Sequence, residues 1–103
     1  LLAKSRGEEL TKLLNETAGI ESVRGKGLLL AAELNSEILK EHTGPEIARA
    51  CLEAGLVVNG VTPTSLRLAP PLTVSSEELI RGVALLEEVL ASAIGEEKNE
   101  THS

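Results

Sequence analysis

The sequence has 103 residues, with ten basic against sixteen acidic side chains and a formal net charge of −6. This length supports one domain, and because no aromatic residue is present, its core must be aliphatic. The acidic balance and the missing aromatics exclude the basic, base-stacking surfaces that bind nucleic acids. No run approaches the roughly 18 consecutive apolar residues of a membrane span, so we expect no membrane partner.

The first segment, residues 1–14, has small or apolar residues at spacings of three and four, at Ala3, Gly7, Leu10 and Leu14. This spacing predicts an amphipathic helix. The sequence begins at Leu1 and contains no methionine. We therefore expect it to belong to a longer polypeptide.

Residues 20–24 and 28–34 predict two short strands, or one strand broken by a bulge, because Gly25 and Gly27 separate them. The second segment is apolar except for Glu33. A near-continuous apolar run indicates a strand covered on both faces. We therefore expect something outside this chain to pack on the face that the domain leaves open.

The second half begins with a helix signal, in which Thr43 is the N-cap, Pro45 lies in the first turn and Glu46 completes a capping box. Gly55 ends this helix. Residues 56–59 predict a strand, 60–64 a loop and 65–69 another strand. A second capping box at residues 75–78 opens a long amphipathic helix.

The order of these elements predicts an α+β fold, a two-layer sandwich in which a three- to four-stranded, mainly antiparallel sheet has its helices on one side. Residues 1–95 form the predicted domain. Residues 96–103 are charged and are predicted to be a disordered tail.

Arg67 is the strongest candidate for a functional residue. Strand alternation places it on the face opposite Leu66 and Leu68, where its planar guanidinium is suited to binding a carboxylate. Pattern alone leaves open that it is a solvated or ion-paired strand residue.

The other reactive residue types form no recognisable site. Cys51 falls on the apolar face of a helix, as a structural thiol does, and a single cysteine fits a reducing cytoplasm. Two separated histidines, His42 and His102, make no metal site. The five lysines fall on predicted wet faces, turns or tails, at Lys4, Lys12, Lys26, Lys40 and Lys98. Residues 24–27 have the wrong glycine spacing for a phosphate-binding loop, since the third glycine would fall on Leu30.

Two stretches resemble a known family. They are VRGKGLLLAAEL at residues 23–34, and GLVVN at 55–59 followed by LRLAPPLTV at 66–74. In this order and spacing they are similar to the C-terminal domain of class III pyridoxal-phosphate-dependent aminotransferases. The resemblance covers nearly the whole chain.

The resemblance implies the small domain of a fold type I enzyme, which transfers amino groups between amino acids and 2-oxo acids in the cytoplasm and is a homodimer. It aligns Arg67 with the arginine that holds the substrate α-carboxylate, and it makes Gly25 and Gly27 backbone-shape residues. No lysine here matches the catalytic one, and the chain has no Asp to pair with the cofactor ring. We therefore expect no catalytic and no cofactor-binding residue in this chain, with pyridoxal phosphate held by an upstream domain.

Two other hypotheses stay open at this point. A stand-alone amino-acid-binding regulatory module would have a similar sandwich and could use Arg67 for a ligand carboxylate. The chain could also be a structural dimerisation element.

Overall fold

The computed structural model describes the backbone of residues 2–71 and 73–102. Within these residues the chain forms helices and strands in the order α1 (Leu2–Asn15), β1 (Ile20–Lys26), β2 (Leu29–Leu34), α2 (Ser36–Leu39), α3 (Gly44–Glu53), β3 (Asn59–Thr62), β4 (Ser65–Leu68) and α4 (Ser76–His102).

The strands form one sheet in the order β1-β2-β4-β3, and each neighbouring pair is antiparallel. Helix α1 packs on β1 and β2, α3 packs on β3 and β4, and α4 contacts α1, α2 and α3. This architecture confirms the predicted α+β fold with a small antiparallel sheet.

The core lies between the sheet and the helices and is aliphatic, as the composition requires. On β2 every second side chain is buried, at Leu30, Ala32 and Leu34, and on β4 Leu66 and Leu68 are buried, together with the polar Ser65. Helices α1, α3 and α4 cover these residues with fully buried side chains, among them Leu14, Ile47, Leu86 and Leu90. We call this the inner face of the sheet, and the opposite face the outer face.

Both predicted capping boxes are present. The Thr43 amide donates to Glu46 Oε1 at 2.9 Å, and the Glu46 amide donates to Thr43 Oγ1 at 3.4 Å. At α4 the Ser75 amide donates to Glu78 Oε1 at 2.9 Å, and the Glu78 amide donates to Ser75 Oγ at 3.1 Å. The Glu78 carboxyl accepts hydrogen bonds from the Ser75 backbone and, as the smaller effect, from the Ser75 side chain, and both lower its pKa.

The strand predicted at residues 56–59 is wrong in its bounds. In the structure β3 begins at Asn59 and extends to Thr62, through most of the predicted loop. Its partner β4 ends at Leu68 and is followed closely by Pro70 and Pro71. Proline has no amide hydrogen to donate, so residues 56–58 have no ladder to join.

Two further differences concern helices. The short helix α2 was not predicted; Asn35 caps it by accepting a hydrogen bond from the Ile38 amide at 3.1 Å. Residues 96–102, predicted to be a tail, continue α4 as a helix to His102. Glu and Lys in this segment have high helix propensity, so a charged composition alone does not end a helix.

Glycines shape the β1–β2 hairpin. Gly25 and Gly27 have φ values of 134° and 56°, in the region that favours glycine. A Cβ atom on Gly25 would collide with the Leu29 carbonyl oxygen. Gly7 of α1 lies so close to Gly27 that a Cβ atom there would collide with the Gly27 carbonyl. The two hairpin glycines are backbone-shape residues, as expected.

Candidate functional site

Arg67 lies in the middle of β4, an inner strand of the sheet. Its sequence neighbours Leu66 and Leu68 are 0% and 8% exposed, whereas Arg67 itself is exposed. The alternation predicted from the sequence therefore holds, and the guanidinium is on the outer face, away from the helices.

The register of the sheet defines what surrounds Arg67. Its direct partner on β2 is Ala31, and its direct partner on β3 is Asn59. Directly opposed residues of an antiparallel pair project to the same face, with Cβ atoms about 4.5–5.5 Å apart. A row of four side chains, Arg24, Ala31, Arg67 and Asn59, thus crosses the outer face from β1 to β3.

The acidic residue of this region is engaged away from Arg67. Glu33 lies two pairs further along the β2–β4 ladder, opposite Ser65. Its Oε2 pairs with Arg24 Nη1 at 3.1 Å, and its Oε1 accepts a hydrogen bond from Thr64 Oγ1 at 3.4 Å. Among the described side chains, no salt bridge involves Arg67. Its guanidinium is therefore available to an external anion.

The space beside Arg67 is an open concavity of about 370 Å³, which Arg24, Gly25, Leu29, Leu30, Ala31 and Arg67 line. Ala31 has only a methyl group, and Gly25 has no side chain. These two residues therefore leave space beside the Arg67 guanidinium. Leu29, which lines one side of the concavity, is 69% exposed. The arrangement combines a planar cation with apolar walls, which suits a small molecule with a carboxylate and an aliphatic portion.

The sequence analysis did not identify Asn59 as a member of this row. A register shift separates the pair Asn59–Arg67 from the pair Thr62–Ser65, so β3 has one residue more than β4 in this interval. Such a bulge re-aims side chains. Gly60 is the residue from which the bulge could have been predicted, since a glycine inside a strand pattern often marks a bulge.

Cys51 is buried on α3, as predicted for a structural thiol. Burial raises its pKa from 9.0 to about 11, which disfavours the reactive thiolate.

Within the part of the chain that the structure describes, no three His, Cys, Asp or Glu side chains come together as a metal site. Over the same residues, no helix is long and apolar enough to cross a membrane.

Comparison with known proteins identifies the family. The family model for class III aminotransferases matches residues 2–90. The acetylornithine aminotransferase of Bifidobacterium longum is 40% identical over 89 residues, which cover 84% of this chain and 20% of that protein. The mitochondrial ornithine aminotransferase of Arabidopsis thaliana is 41% identical over 91 residues, covering 84% of this chain and 19% of that protein.

Solved structures agree with this assignment. The crystal structure of N-acetylornithine aminotransferase from Stenotrophomonas maltophilia superposes with a TM-score of 0.71 at 26% identity, covering 91% of this chain and 25% of that one. The chain belongs to the class III aminotransferase family. It spans about a fifth of the length of the curated relatives that it matches.

The family implies pyridoxal phosphate as cofactor, and the side chains that the structure describes do not fit the group. The lysines whose side chains are described are all exposed, at Lys4, Lys12, Lys26 and Lys40. The sequence contains no Asp that could pair with the pyridine nitrogen. A nucleophilic lysine is ordinarily desolvated or placed beside another cation, and these four are not desolvated.

Proposed function

We propose that this chain is the C-terminal small domain of an acetylornithine aminotransferase, and that Arg67 binds the α-carboxylate of its substrates. The observation that carries the proposal is a guanidinium without a salt-bridge partner among the described side chains, on the open face of a class III aminotransferase sheet. Family membership favours this function over a stand-alone regulatory module or a purely structural element.

The chemistry of the two substrates gives Arg67 a role in both halves of the reaction. The proposed amino donor, N-acetylornithine, carries its carboxylate on the α-carbon, at the other end of the chain from the δ-amine that is transferred. The proposed acceptor, 2-oxoglutarate, carries its α-carboxylate beside the reacting C2 carbonyl. A guanidinium fork binds a carboxylate through two parallel N–H···O bonds, which fixes orientation as well as position. Ala31 beside Arg67 leaves room for that approach.

The cofactor belongs, in this proposal, to residues outside the chain. Pyridoxal phosphate, when bound, supplies the electron sink that lets an amino group move between amino acid and oxo acid. This chain contributes substrate orientation only, through Arg67. Taken alone it is expected to be inactive, because the exposed lysines and the absence of Asp give it no cofactor site.

The choice of amino donor is the finer part of the proposal. Acetylornithine aminotransferases recur among the relatives, but an ornithine aminotransferase is equally similar. Ornithine is therefore the second candidate, and 4-aminobutyrate and succinyl-diaminopimelate remain alternatives within the same family. With N-acetylornithine as donor, the enzyme would serve arginine biosynthesis in the cytoplasm, and we propose that the full-length enzyme is a homodimer.

The donor is tested by measuring kcat/KM of the full-length enzyme that carries this chain, with 2-oxoglutarate as acceptor. We expect N-acetylornithine to be preferred over ornithine. The four candidate donors differ in the group at the end remote from the transferred amine, so they should be compared at one acceptor concentration. A clear preference for ornithine would replace the donor and leave the family and Arg67 in place.

The expected inactivity of the isolated chain has a separate test. The 103-residue chain and the full-length enzyme are each incubated with pyridoxal phosphate and dialysed. We expect cofactor absorbance to persist only in the full-length enzyme. Dialysis-resistant absorbance in the isolated chain, lost when a single lysine is replaced, would contradict the assignment of the cofactor site to another domain.

A further inference from the structure

We propose that Asn59 forms, with Arg67, a two-residue carboxylate-binding pair, and that Asn59 contributes to the discrimination between amines that carry a carboxylate and amines that lack one. This proposal rests on the function proposed for Arg67. It adds a second binding residue from a different strand.

The first observation is the register. Asn59 is the direct partner of Arg67 across the β3–β4 ladder, so both side chains project from the outer face, with Cβ atoms about 4.5–5.5 Å apart. On the other side of Arg67 stands Ala31, whose methyl group offers no hydrogen bond. Asn59 is therefore the polar side chain directly opposite the guanidinium.

The second observation is the way in which Asn59 is held. The backbone of Gly60 packs directly on the start of α3, where a Cβ atom on Gly60 would lie 2.6 Å from atoms of both Gly44 and Pro45. Gly60 also lies within the interval between Asn59 and Thr62 in which the β3–β4 register shifts. Beyond it, Thr62 Oγ1 and Ser65 Oγ are 2.5 Å apart, which closes the hairpin. The strand that bears Asn59 is thus fixed from both ends of the bulge.

The third observation is chemical. Asn59 is exposed, and none of the hydrogen bonds found among the described side chains uses its amide. A carboxylate has about four lone-pair sites, and a bidentate guanidinium uses two of them. The Asn59 NH₂ group can donate to a remaining site, while its carbonyl oxygen can accept from Arg67. A neutral amide does both without neutralising the cation.

The pair is tested with two amines that differ only in a carboxylate, 5-aminopentanoate and pentylamine. Each is measured as a competitive inhibitor of the amino donor in the full-length enzyme. The preference is the ratio of the two inhibition constants. We expect Asn59→Ala to reduce the preference about tenfold, since a hydrogen bond to a charged group is lost, and to leave inhibition by pentylamine unchanged.

Asn59→Asp sharpens the test, because it has the shape of asparagine but carries a charge. Its carboxylate would pair with Arg67 and repel the ligand, so the preference should fall further than in Asn59→Ala. Ser22→Ala is the matched control, because Ser22 is an exposed polar residue opposite Glu33 on the distant strand β1. It should leave both inhibition constants unchanged.

The outcomes separate this inference from the proposed function. If Arg67→Ala abolishes the preference and Asn59→Ala does not change it, the pair is wrong and Arg67 stands alone. If Arg67→Ala leaves the preference intact, both proposals fail. Equal losses for 5-aminopentanoate and pentylamine in Asn59→Ala would also overturn the pair, because they would indicate a general structural effect.

Discussion

The two faces of this sheet are built on opposite principles, although their residues alternate along the same strands. On the inner face, Leu66 is fully buried beneath the helices. One residue later, on the outer face, Arg67 is exposed between Ala31 and Asn59. The inner face contributes burial, which needs only apolar residues of suitable size. The outer face presents directional groups, which we propose bind the substrate carboxylate. Stability and binding are therefore separable by single substitutions at adjacent positions.

Leu29 is the residue that departs from this division. It is apolar, lies on the outer face and is 69% exposed. It is also part of the apolar run from which we expected something outside the chain to cover this face. That expectation stays a prediction. It places the covering element over the part of the outer face that contains Leu29 and Arg67.

The largest expected effect concerns the inner face. Leu66→Ala should lower the free energy of unfolding by about 2–5 kcal/mol, through lost burial and the cavity left behind. Urea unfolding, monitored on this domain of the full-length enzyme, measures the change. Arg67→Ala is the matched control and should leave the midpoint nearly unchanged. A larger loss of stability in Arg67→Ala than in Leu66→Ala would reverse the roles of the two faces.

The second prediction concerns activity and the outer face. In the full-length enzyme we expect another domain to cover this face and to bury the substrate carboxylate against Arg67. Arg67→Ala should then reduce kcat/KM for both donor and acceptor by roughly 30-fold or more, since leaving a buried carboxylate without its partner costs about 2–5 kcal/mol. Arg67→Lys should also lose substantially, because an ammonium group cannot form the planar fork. Cofactor absorbance should not change in either variant. Near-normal kcat/KM for both substrates would make Arg67 a structural strand residue.

A third prediction uses the buried thiol of α3. The pKa of Cys51 is raised from 9.0 to about 11 by burial, so the native thiolate fraction at pH 8 should be about a hundredfold below that of the unfolded chain. Alkylation in the native state should be correspondingly slow and should accelerate in urea. Because the folded pKa is raised, the associated stability is complete below pH 9 and is lost as pH rises toward 11. Equally fast alkylation in both states would show that α3 does not bury this residue.

The inner face could be predicted from the sequence because its signals are local. Alternation on β4, the capping boxes at Thr43 and Ser75, and the stop at Gly55 depend on residues within a few positions of one another. The exposed position of Arg67 followed in the same way from alternation, and its role as a site residue stays a prediction from the family resemblance. These parts of the fold need no knowledge of which strands pair.

The row of residues around Arg67 could not be predicted, because it depends on pairing. Asn59 is close to Arg67 only through the β3–β4 register, and Ala31 only through the β2–β4 register. The β3 bounds were missed for the same reason: residues 56–58 have strand-like composition, but the prolines after β4 leave them without a ladder. Likewise, Glu33 forms its salt bridge with Arg24 and not with Arg67, which depends on the pairing of β1 with β2.

The smallest expected effect tests whether the outer face stabilises the fold at all. The Arg24–Glu33 pair has an N···O distance of 3.1 Å, but the Arg24 side chain is 70% exposed. Exposed pairs contribute about 0–1 kcal/mol, because solvent screens the charges and two long side chains must be ordered. Glu33→Gln should therefore shift the unfolding midpoint only slightly, while removing the negative charge nearest to Arg67 along the ladder. The same variant should bind carboxylate inhibitors at least as tightly as the wild type, since one repulsive charge is gone from the face. A loss of several kcal/mol would instead mean that the outer face is structural, and that Arg67 lies within a stabilising network and not on a binding surface.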